Sequence, residues 1–293
     1  MKIPIVNRDS GFYPLAFGIW AIAMVATNGN HSYFGTPLPA ADVRQGIGTY
    51  DRQGPVTVDL GEAQKALAAE KNPKERAKIL ETIGSFFFDR YRAEHSSVYL
   101  DSAQFYVQEA IKASPGMPEN FYNLARIFTE KKDFASAQAA YEKILAVDPK
   151  NFMACHNLGL LSYYEMRNPV LAQNYFEKAL SIDTGLPIDN FLLARIAAEK
   201  KDFAAAARHY RREMDLFAGG QSAKASFMAD QANLRLAATL SALELSMLYS
   251  TAIPDRQQAQ TSFESYLKLE TDQQRRQNST AEFQKRWQGA TAP

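Results

Sequence analysis

Residues 118 to 217 contain a segment that nearly copies itself. Leu124-Ala125-Arg126-Ile127 opens one copy and Leu193-Ala194-Arg195-Ile196 the other. Each is followed by Glu-Lys-Lys-Asp-Phe-Ala, first from Glu130 to Ala135 and then from Glu199 to Ala204. Each reaches a tyrosine, Tyr141 and Tyr210, and the offset is 69 residues throughout. That is two units of about 34 residues, the period of a stacked helical hairpin. One hairpin cannot bury its apolar face alone, so neighbours must stack. Such an object offers an extended binding surface far more readily than an active site.

One unit runs from Pro118 to Lys150. Leu124, Ala125 and Phe128 fall on one face of a first helix. Asp133-Phe134 closes a tight turn. Ala137, Tyr141, Ile144 and Leu145 then recur at i, i+4, i+7 and i+8 on a second helix, which Pro149 stops because it lacks an amide donor. The small Ala137 lets the helices approach, and Phe134 and Tyr141 fill the space on either side.

This pattern resembles the tetratricopeptide repeat. The next unit has Leu158-Gly159, then Ala172, Phe176, Ala179 and Leu180, with its second helix displaced by one residue. Asn168-Pro169 is the expected site of that insertion. The following unit carries Leu193-Ala194, Phe203, Ala206 and Tyr210. An upstream unit is weaker. Ala103, Val107, Ala110, Ile111 and Pro115 match the second helix, but the first, around Ile83-Gly84, lies about six residues too far upstream. Arg92 to Leu100 must then be a longer loop or a helix extension. A last unit, Leu240 to Ser250 and then Ala259, Phe263, Tyr266 and Leu267, is weaker still. Degenerate flanks suit the ends of a stack.

The resemblance implies an all-α, right-handed solenoid of antiparallel helical hairpins over residues 75–270. It is preceded by an N-terminal apolar helix (1–28) and an extended linker with a first helical stretch (29–74), and followed by a tail or cap (271–293). In the tail, Phe283 and Trp287 are spaced i,i+4, as a short docking helix requires.

The formal charge is +1, with no basic stripe that nucleic acid requires. The single cysteine, Cys155, excludes an internal disulfide and reads as a small core residue. The four histidines, His31, His95, His156 and His209, form no metal spacing. No phosphate-binding glycine loop opens a helix. The expectation is a non-enzymatic protein with no cofactor and no metal.

The N-terminus is the second informative feature. Ser10 to Ala41 carries no Asp, Glu, Lys or Arg. Its apolar part, Phe12 to Thr27, includes Phe12, Leu15, Phe17, Ile19, Trp20, Ile22 and Val25. Lys2 and Arg8 precede it, so the positive-inside rule leaves the N-terminus in the cytoplasm and the repeats outside. Sixteen residues cover about 24 Å, short for a bilayer span. Three readings stand: a retained signal anchor, a cleaved signal peptide, and an apolar arm packed on a partner. Gly29 to Leu60 is rich in Gly and Pro and reads as an extended linker or a wrapping segment.

The family resemblance also implies a groove lined by first helices, at the second, fifth, ninth, twelfth and thirteenth positions of each unit. Here those positions include Tyr122 and Arg126, then His156, Tyr163 and Tyr164, then Phe191 and Arg195. Aromatics and arginine suit protein recognition. The plainer alternative is that Arg126–Glu130 and Arg195–Glu199 are helix-stabilising i,i+4 pairs and that the tyrosines pack between repeats. A clamp for a C-terminal carboxylate lacks its lysine here, since Tyr122, His156 and Phe191 hold that position.

Together these features predict a scaffold in the bacterial inner membrane, single-pass, with its C-terminal domain in the periplasm. It would recruit or assemble envelope or membrane proteins. The alternatives are a periplasmic or secreted adaptor after signal cleavage, and a structural subunit of a large membrane complex.

Overall fold

The computed structural model describes residues 58–186, 188–219 and 231–289. The apolar segment 12–27 and the linker up to residue 57 lie outside the described residues. Among the described residues the secondary structure is helical throughout. None of these helices is long and apolar enough to cross a membrane. The chain divides into two compact units, residues 50–178 and 179–293 as far as the described chain goes.

In the first unit, α1 (Leu60–Ala69) and α2 (Pro73–Glu94) precede α3 (Ser97–Ala113). Then come α4 (Pro118–Glu130), α5 (Phe134–Val147), α6 (Phe152–Leu160) and most of α7 (Pro169–Ile182). The helices start where capping chemistry puts them. Asp59, Asn72, Asp133, Asn151 and Asn168 each accept an amide of the first turn with a side-chain oxygen. The turn before α5 places Lys132 at φ 60° and the turn before α7 places Arg167 at φ 51°. Non-glycine residues pay a steric cost there.

The first hairpin settles the question of its extra residues. α2 continues to Glu94 and α3 begins at Ser97, with His95 at φ 54° between them. Both helices are extended, by about two turns in total. Whole turns preserve the facing register. Gly84 therefore still meets Val107 and Ala103, where an added Cβ would lie 2.8 Å from Val107 Cγ2. The core here joins Phe88, Leu100, Ala103 and Val107 to Ile127 of α4. The half-buried positions Leu60, Ala63 and Leu67 of α1 share one face.

The expected insertion site in the next hairpin is corrected. The turn Met166-Arg167-Asn168 has the same length as Lys131-Lys132-Asp133. The additional residue sits inside the first helix, as a π-helical turn over Leu161–Glu165. The Met166 amide reaches back five residues to the Leu161 carbonyl at 3.0 Å, whereas the Lys131 amide reaches back four to Ile127. A widened turn absorbs one residue without disturbing the cap at Asn168.

In the second unit, α8 (Asp189–Glu199) pairs with α9 (Phe203–Ala218), and α10 (Gln231–Thr251) with α11 (Arg256–Leu269). α12 (Gln273–Gly289) closes the chain. Its Phe283 stacks on Phe263 with centroids 4.2 Å apart, and Tyr266 bonds Ser279 at 3.0 Å. The tail is thus a docked helix through its Phe283 face.

Candidate partner-binding surface

The fifth position of each unit turns toward its own hairpin. Tyr122 meets Tyr141 edge-on at 5.9 Å, His156 meets Phe176 at 6.4 Å, and Phe191 meets Tyr210 at 6.2 Å. All three are buried. The Tyr122 hydroxyl donates to Asn151 Oδ1 at 2.6 Å, and that oxygen also accepts the Ala154 amide and so caps α6. Burial pushes the Tyr122 phenol well above its usual range, and Tyr141 is pushed up to about 12 by burial. These rings therefore stay neutral, and Tyr122 ties its hairpin to the next through Asn151.

Position nine differs. The Arg126 guanidinium lies 4.7 Å above the Phe88 ring and is half-buried. In the second unit, buried Arg195 lies 6.0 Å from the Phe191 ring. Asn123, one residue beyond Tyr122, donates its amide to buried Glu81 at 3.1 Å. Glu130 accepts from the Tyr91 hydroxyl at 3.1 Å.

Tyr163 and Tyr164 both lie in the π-helical turn, edge to face at 5.0 Å. Tyr164 is buried and Tyr163 half-buried. Ser162 donates to the Leu158 carbonyl at 2.6 Å from within the same turn, a bond that favours a bent helix. The widened turn also moves the register. Counted back from the following turn, Glu165 is the equivalent of Glu130 and Glu199, one place beyond the thirteenth position where Tyr164 stands. Sequence reasoning missed Glu165, Tyr91 and Phe88. The signal for Glu165 was the 35-residue spacing from Glu130.

In the first unit the structure thus places Tyr122, Arg126, His156, Tyr163 and Tyr164 on two consecutive first helices. Arg126 and Tyr163 keep part of their surface open. Phe191 and Arg195 lie on α8 in the second unit.

The sequence profile described as Tetratricopeptide repeat matches residues 118–151 and 154–185. The chain carries tetratricopeptide repeats. The repeats match solved structures at low identity, which bears on fold alone. One is YrrB, described as a TPR protein with an unusual peptide-binding site. It is 14% identical with a TM-score of 0.51, over 75% of this chain and 97% of that one. Another is the C-terminal part of a TPR repeat-containing protein from Cytophaga hutchinsonii. It is 17% identical with a TM-score of 0.51, over 75% of this chain and 92% of that one. No curated relative matches the repeats by sequence.

Proposed function

We propose that this protein is a non-enzymatic scaffold that takes a protein partner on the first helices of its repeats. We place it in the bacterial inner membrane, held by residues 12–27, with the repeats in the periplasm. There it recruits or assembles subunits of an envelope or membrane complex. The observation that carries the binding reading is the π-helical turn at Leu161–Glu165, which leaves Tyr163 half-buried, with part of its surface open, beside buried Tyr164. A widened turn in an otherwise regular helix marks a position where packing has been traded for presentation. Arg126 adds a directed cation on the preceding first helix. The tethering reading rests on the uncharged stretch Ser10 to Ala41 with Lys2 and Arg8 before it.

The test is a mild-detergent pull-down of the tagged protein from native membranes, with intact-mass measurement of the captured chain. A full-length mass with stoichiometric membrane partners supports an anchored scaffold or complex subunit. A mass lacking about the first 23 to 27 residues, from the soluble periplasmic fraction, replaces the anchor with a cleaved leader. Tyr163→Ala and Arg195→Ala test the surface separately. Unchanged partner capture in both removes the first helices as the binding face.

A further inference from the structure

We draw no further inference here: the strongest candidate, the aromatic patch on the α2–α3 hairpin where Phe86, Phe87, Tyr99 and Tyr106 lie half-buried beside Phe105, itself 57% exposed, carries none because nothing in the structure shows what covers it.

Discussion

The Ile188 amide lies 2.9 Å from both carboxylate oxygens of Glu213. Ile188 precedes α8 at φ 77°, a strained conformation for a β-branched residue, and has no side chain able to cap the helix. Glu213, one hairpin partner away on α9 and buried, supplies the missing acceptor. Burial pushes its carboxyl up to about 8, against the pull of the Ile188 and Phe191 amides and with a further push from Asp189. The unfolded group titrates near its ordinary 4.5. Between these values the folded state holds the proton more tightly, so protonation stabilises the fold. This contribution is greatest at low pH and is lost as pH rises toward 8, by at most about 1.4 kcal/mol per pH unit. Amide exchange of α8 and α9 at several pH values is expected to show this fall. Glu213→Gln should flatten the profile, and a slope equal to wild type would sink the assignment.

Gly159 is required by contact with Phe176. A Cβ there falls onto the Phe176 ring. Gly159→Ala is expected to cost about 1–3 kcal/mol, the usual penalty of overpacking a filled core. Gly116, whose added Cβ meets nothing within 4 Å, is the control. Gly116→Ala should be neutral or slightly stabilising in urea melts.

Tyr122→Phe keeps the ring against Tyr141 and removes the bond to Asn151. A loss of about 0.5–1.5 kcal/mol is expected in chemical denaturation. Asn151→Ala should cost more, because it also uncaps α6. In the double variant the two losses should not add, since both act through one oxygen.

Lys132→Gly relieves a left-handed residue in the turn before α5. A gain of up to about 1 kcal/mol in unfolding free energy is expected, with the capping bond that the Ser136 amide donates to Asp133 retained. A loss instead would show that the lysine side chain, which no contact described above uses, carries weight.

Phe283→Ala removes the ring stacked on Phe263. The expected result is fast amide exchange through α12 with slow exchange kept in α10 and the first unit, because a terminal helix opens on its own.

The sequence alone determined the helical hairpins, their small and aromatic packing positions and most helix starts. These depend on local chemistry: a 34-residue period, Asp or Asn before the second helices α5, α7, α9 and α11, and Ala or Gly where helices cross. Tertiary structure decided what the spacing could not. One extra residue fits a turn or a helix equally well by count, and only the intact cap at Asn168 placed it in the widened turn that follows α6. Extra residues near Arg92 were equally compatible with a loop, until Gly84 against Val107 required whole helical turns. The fifth-position residues looked like lining because family position says nothing of which way a ring is drawn. Tyr122, His156 and Phe191 are drawn inward by Tyr141, Phe176 and Tyr210, each near the middle of a second helix. The Glu213 cap was invisible for the same reason: it joins residues far apart in sequence through a carboxylate standing where other repeats carry an apolar side chain, as at Ile144.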